Sequence, residues 1–235
     1  GTIRNYELTE PINLIGWIET RKGNVRANHY HPIQEQKCLL IGGSYVSVTQ
    51  DLSYPGAPLE YKLISPGDVA VIRPNVAHAM VFLKDALFLN LVNGEREHQN
   101  YGITHTISHP IVNESIRLDI MNNYRTTCRS CGNENLLPAI SLGMSPLANN
   151  LISEGEIAEQ YPLEMLFCPH CYNCQLSYVV PAGKMFDNYL YVSSTSKVFR
   201  EHFERAATHY IEQFSLNDQS LVLDIGSNDG VFLKP

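Results

Sequence analysis

From Gly16 to about Val92, short apolar runs alternate with turns built from Gly, Pro and Asn. Cys38-Leu39-Leu40-Ile41 runs into Gly42-Gly43; Tyr45-Val46-Ser47-Val48, Val69-Ala70-Val71-Ile72 and Leu87-Phe88-Leu89-Asn90-Leu91-Val92 follow. Many short strands at close, even spacing predict a sandwich or barrel. The stretch from about Asn93 to Tyr124 is mixed and rich in Asn and His, and reads as a connector. Between Leu136 and Phe167, the residues Pro138, Gly143, Pro146, Gly155 and Pro162 exclude one long helix. From Ser196 to Phe214 the period changes. Val198, Phe199, His202, Phe203, Ala206, Tyr210, Ile211 and Phe214 recur at helical spacing, which places His202 on the apolar face. Leu221–Ile225 then reads as a buried strand entering a Gly-rich turn.

Composition adds limits. With 44% hydrophobic and 17% charged residues among 235, the chain can fill more than one core, and two units plus a connector is the expectation. Acidic residues outnumber basic ones, 24 to 17, and no stretch clusters Lys and Arg. Nucleic acid is therefore excluded as a main partner, because its phosphates need a basic stripe. No run approaches the roughly 18 apolar residues of a membrane helix, and no stretch reads as a secretion signal. A cytoplasmic, reducing setting is expected. There, six cysteines, four of them in two C-x-x-C pairs, point to metal rather than disulfides.

One candidate metal set lies near the N-terminus. Gly23, five residues, His29, one residue, His31, three residues, Glu35, six residues, Gly42 is a spacing that matches the first sequence motif of the cupin family. His29 and His31 are two apart on a strand, so both point to one face, into the barrel. Glu35 supplies a carboxylate. The second motif resembles Arg73-Pro74-Asn75-Val76-Ala77-His78, in which Asn75 stands at the turn glycine and tolerates positive φ. Three imidazoles and a carboxylate leave open positions on a divalent ion (Zn, Mn, Fe or Ni), the geometry of a reactive metal.

The other set is Cys128-x-x-Cys131 with Cys168-x-x-Cys171. Two such knuckles fill a tetrahedral zinc shell and leave no place for substrate, so this site is structural. Cys174 competes with Cys171, which keeps the paired spacing. Cys38 reads as a buried apolar residue.

From about Thr127 onward the sequence resembles the zinc-containing sugar C-methyltransferases, through Cys128–Gly132, Ser141–Asn149, Tyr161-Pro162-Leu163, Gln175-Leu176, Tyr189–Ser196, Arg200–Phe203 and Leu223–Gly230. The resemblance implies methyl transfer from S-adenosylmethionine to the carbon next to the ketone of a nucleotide-linked 4-keto sugar. It implies sugar contacts at Tyr189, Tyr191, Ser194 and His202, and cofactor contacts at Asp224, Gly226, Asn228 and Gly230. The catalytic base is expected downstream of residue 235, so the chain as a truncated fragment is expected not to methylate. The resulting fold class is mixed: an all-β cupin barrel (1–110), a connector (111–126), a four-cysteine zinc-binding domain (127–182), then a helical segment and the first strand of a Rossmann-type methyltransferase domain (183–235). Two other functions stand beside this one. The barrel is a cupin epimerase or isomerase acting on a sugar nucleotide, or it is a non-catalytic sugar-binding or homodimerising module.

Overall fold

The computed structural model describes residues 3–93, 105–187 and 189–234. Residues 94–104, expected within the barrel, and residue 188, expected within the helical segment, lie outside the described residues. The chain divides into two compact units, 1–181 and 182–235.

The first unit opens with eight strands: β1 (Leu14–Thr20), β2 (Val25–Tyr30), β3 (Gln36–Gly42), β4 (Tyr45–Asp51), β5 (Glu60–Ile64), β6 (Val69–Ile72), β7 (Val76–Phe82) and β8 (Ala86–Val92). A short β9 (Ile107–Ser108) follows. They form two antiparallel sheets, ordered β1-β8-β3-β6 and β5-β4-β7-β2-β9. Apart from the consecutive pair β4 and β5, neighbours within each sheet are not consecutive in sequence, the arrangement of a cupin barrel. Strand alternation decides what faces inward. In β8, Ala86, Phe88, Asn90 and Val92 are buried while Leu87, Leu89 and Leu91 are less so.

Strand β7 is buried on both faces. Met80 and Phe82 join Cys38, Leu40, Tyr45, Ile64 and Phe88 inside the barrel. Ala77, Ala79 and Val81 face the other way, into a core shared with Val46, Val48, Ile120, Tyr161 and Tyr178. Each large side chain fully buried in these cores contributes about 1.5–3 kcal/mol.

The segment 111–126, read from sequence as a connector, carries helix α1 (Glu114–Asn123). Asn113 caps it by accepting from the Ile116 N–H at 2.9 Å. Ile120 of α1 is fully buried against the barrel's outer face. Beyond it, β10 (Leu137–Pro146), β11 (Gln160–Phe167) and β12 (Cys174–Leu176) form an antiparallel sheet. This sheet is tied to α1: the Tyr178 hydroxyl donates to the Asp119 carboxylate at 3.0 Å, and the Arg125 N–H donates to the Ser177 carbonyl at 2.7 Å. The barrel and the four-cysteine region therefore share one core.

The second unit holds α2 (Ala182–Phe186), a single turn at Ser193–Thr195, and α3 (Lys197–Phe214). Ser196 caps α3 through its hydroxyl, and Ser215 ends the helix at φ +50°. The strand expected over Leu221–Ile225 does not form. A strand of that kind is hydrogen-bonded on both edges and buried on both faces. Among the described residues none pairs with it, and Leu221 and Ile225 are 97% and 90% exposed. No helix of the described residues is long and apolar enough to cross a membrane.

Candidate metal centres

His29 and His78 are direct cross-strand partners of β2 and β7, and His31 follows β2 at once. The three rings meet inside the barrel. His29 lies 4.9 Å from His31 and 4.8 Å from His78, edge to face in both cases. His31 stacks on His78 at 5.5 Å. Their ligand atoms all lie within 4.8 Å of one another.

Backbone carbonyls orient two of the rings. The Nδ1 of His31 meets the His105 carbonyl at 3.2 Å, and the Nδ1 of His78 meets the Val76 carbonyl at 3.3 Å. With the proton on Nδ1, each ring presents an Nε2 lone pair to the barrel interior. The Nε2 of His31 meets the Gln36 side chain at 3.2 Å, while the Nε2 of His78 is buried with no hydrogen-bond partner among the described residues. Burial, helped by the neighbouring His29 and opposed by the Val76 carbonyl, pushes His78 down to about 3. A ring held neutral in this way keeps its lone pair for a metal or a substrate proton. His29 and His31 border a cavity of about 100 Å³, lined also by Arg26, Gln36 and Asn90.

Glu35 does not join this cluster. Gln36 points inward at His31, so strand alternation turns Glu35 and Lys37 outward. There the Lys37 ammonium, only 3% exposed, holds the Glu35 carboxylate at 2.9 Å. A buried ammonium needs a counter-charge, and Glu35 supplies it. The expected four-ligand set is thus reduced to three imidazoles. Their donor chemistry fits a divalent ion, and the orphaned Nε2 of His78 is the observation that supports the fit.

Asn75 sits at φ +60°, as its place in the turn predicted, and its N–H donates to the His31 carbonyl at 2.8 Å. Asn28 was missed from the sequence. It occupies a bulge at φ +60° just before His29. Its Oδ1 accepts from the Ile111 and Val112 N–H groups, each at 3.0 Å, and its Nδ2 donates to the Val112 carbonyl at 2.9 Å. One side chain thus pins the approach to α1 against the histidine strand. An Asn in a position that needs positive φ was the available signal.

In the four-cysteine cluster, Cys128 and Cys171 sulfurs are 3.5 Å apart, and those of Cys131 and Cys168 are 3.6 Å apart. A zinc ion with Zn–S bonds of about 2.3 Å would set tetrahedral sulfurs about 3.8 Å apart. The fit is close. Each knuckle is closed by the same backbone bonds: the Cys128 N–H to Asn133 and the Cys168 N–H to Asn173, both at 2.8 Å. The side chains then cross over. The Asn133 amide donates to the Cys168 sulfur at 3.5 Å, and the Asn173 amide donates to the Cys128 sulfur at 3.8 Å. Burial acts to raise the Cys168 thiol. Hydrogen bonds from Asn133, the Cys171 and His170 N–H groups and the Cys131 thiol outweigh it and hold Cys168 down at about 6. The signal was legible: Cys-x-x-Cys-x-Asn occurs twice, at 128–133 and 168–173. Cys174 begins β12 with its thiol exposed and outside the cluster, and Cys38 is buried in the barrel, where burial pushes its thiol up to about 12.

Residues 128–186 match the family described as "Putative zinc binding domain". The middle of the chain is a zinc-binding domain. A stretch of 110 residues is 32% identical to the C-methyltransferase NovU of Streptomyces niveus, covering 46% of this chain and 26% of NovU. The chain thus matches about a quarter of the length of that curated relative. Among solved structures, the capsular polysaccharide assembling protein CapF from Staphylococcus aureus is 16% identical, covering 44% of this chain and 30% of CapF with a TM-score of 0.37. The dTDP-4-dehydrorhamnose 3,5-epimerase from Sulfolobus tokodaii is 21% identical, covering 45% and 61%, with a TM-score of 0.35.

In the second unit, the Asn228 Oδ1 accepts from the Ser193 N–H and its Nδ2 donates to the Tyr191 carbonyl, both at 3.0 Å. The Asp229 carboxylate accepts from the Ser194 N–H at 3.3 Å. Tyr191, Ser194 and Asn228 are therefore brought together, with Tyr189 packed at 6.4 Å from Tyr191. Gly226 and Gly230 flank Asn228 at φ +84° and +73°, and Asp224 is half-buried just before them. His202 is exposed on α3 with its ring edge against Phe203, so it does not sit on the helix's packed face as the periodicity predicted. The packed positions are Phe203, which meets Phe232, and the buried Ala207.

Proposed function

We propose that this chain is part of an enzyme that transfers a methyl group from S-adenosylmethionine to the carbon next to the ketone of a nucleotide-linked 4-keto sugar. The match to NovU, together with the match to the zinc-binding family, carries this reading. The zinc-binding domain serves it as a scaffold: four thiolates close the metal shell, and the metal contributes folding energy to a region of small strands. Tyr189, Tyr191, Ser194 and His202 are proposed to meet the sugar, and Asp224, Gly226, Asn228 and Gly230 the cofactor. The protein containing this chain should move label from methyl-labelled S-adenosylmethionine to a thymidine-diphosphate 4-keto-6-deoxyhexose. No transfer to any 4-keto sugar nucleotide would end the proposal.

The buried histidine trio favours a second reading, in which the barrel acts on the same sugar nucleotide by proton transfer beside the ketone. His29, His31 and His78 would hold a divalent ion, which when bound supplies Lewis-acid polarisation of a carbonyl. The His105 and Val76 carbonyls fix the ring orientations. Arg26 brings a positive charge to the cavity, and Met80 and Phe88 keep bulk water out. In D₂O, the chain should exchange the proton next to the ketone of that substrate, and His78→Asn should abolish exchange. Undiminished exchange in the variant would refute this role. Metal analysis should find two ions per chain, one lost in His78→Asn.

A further inference from the structure

The histidine cavity is too small for the substrate just proposed: about 100 Å³, where ligand pockets usually hold about 300–1,000 Å³. A larger cleft of about 800 Å³ lies at the barrel's open edge, where β5 and β6 end their sheets without pairing to each other. Its barrel wall includes Ser47, Thr49 and Lys62; its other wall is Met144, Gln160 and Glu164 of the zinc-binding domain.

Register connects this cleft to the histidines. Across four adjacent strands, Glu60 pairs with Thr49, Thr49 with His78, and His78 with His29. Directly paired residues share one face. His78 faces the barrel interior, so Thr49 and Glu60 do as well. At about 4.8 Å per strand, Thr49 stands one step from His78 and Glu60 about 10 Å away. The cleft and the trio are therefore neighbouring stretches of one inner surface. The lining mixes hydroxyl, amide and carboxylate groups and one ammonium with apolar Ile64, Ile72 and Met144. That set suits a ligand with a flat base, several hydroxyls and a phosphate.

We infer that the zinc-binding domain forms one wall of the barrel's substrate cleft, and that a nucleoside-diphosphate sugar lies between Met144–Gln160 and the Glu60–Thr49–His78 row. This rests on the reading of the trio as the barrel's reaction site. The zinc would then have a second consequence, holding β10 and β11 where they complete a binding site on another module.

The test is calorimetric titration of the whole zinc-loaded chain with dTDP-glucose. Met144→Trp, which narrows the cleft at its zinc-binding-domain wall, should weaken binding at least tenfold. Leu142→Trp, on the same strand but outside the cleft and 65% exposed, should leave it unchanged. Gln160→Ala, at an exposed position, should weaken binding several-fold and carries the test if the tryptophan variant does not fold. Zinc content and melting temperature confirm that each variant is intact. Binding unchanged in both Met144→Trp and Gln160→Ala overturns the inference, as does a wild-type chain that does not bind the probe. Binding that is lost in the cleft variants while the wild type shows no proton exchange would keep the cleft and remove the trio's catalytic role. Exchange with unaltered binding in the variants would do the reverse.

Discussion

Asn28→Ala tests how the histidine strand is held. The side chain makes three hydrogen bonds at 2.9–3.0 Å to the backbone of Ile111 and Val112, residues only 9% and 6% exposed. Its removal strands two N–H groups and one carbonyl. A buried group left unpaired costs about 1–3 kcal/mol, and the carbonyl, with a second lone pair, sits at the low end of that range. Alanine also tolerates φ +60° less well than asparagine, by roughly 1 kcal/mol. The expected loss is about 4 kcal/mol, a large share of a typical domain's stability. Asn28→Asp keeps an acceptor for both N–H groups and should lose about 1–2 kcal/mol. Urea unfolding at saturating zinc measures both, and the same samples report whether ligand or metal binding at His29 falls with the bulge. A loss under about 1 kcal/mol for the alanine variant, or equal losses for both variants, would refute the reasoning.

Other perturbations probe the remaining sites. Asn133→Ala or Asn173→Ala removes an amide donor to a zinc-site sulfur and should weaken zinc retention about tenfold in competition with a chromogenic chelator; unchanged retention would show that the crossed amides are incidental. In the zinc-loaded chain, iodoacetamide should label Cys174 alone, because Cys38 is 4% exposed with its thiol at about 12 and the other four are metal-bound. Early loss of Cys38 by mass spectrometry would contradict the packing. Burial raises the Glu164 carboxyl, against hydrogen bonds from Ser177, Ser141 and the Leu63 N–H. The folded chain then keeps this proton to higher pH than the unfolded chain, so the group's contribution to stability falls as pH rises through and above the carboxylate range. Wild type should lose stability relative to Glu164→Gln as pH rises from the ordinary carboxylate range, and a flat difference would remove the desolvation argument.

Local chemistry was readable without coordinates. His29 and His31 two apart, His78 after its turn, and the paired cysteines all carry their meaning in spacing, because strand period and knuckle geometry are short-range properties. Asn75 at positive φ was legible for the same reason. Glu35 was misread because spacing cannot tell a ligand from a counter-ion. The difference lay in Lys37, whose burial depends on the whole sheet. The segment 111–126 looked like a connector because α1 has only a weak apolar stripe of its own. Ile120 gains its burial from the barrel's outer face.

What the sequence by itself determined is the run of barrel strands, the helix after Ser196, the spacing of the histidines and paired cysteines, and the type of fold, since strands, turns and metal knuckles are specified by neighbours a few residues apart. Only the tertiary structure decided that β7 is buried on both sides, that the barrel and the zinc-binding domain share a core, and that Thr49 and Glu60 extend the histidine row. Those depend on register between strands distant in the chain, and register is set by which faces find each other when the cores close.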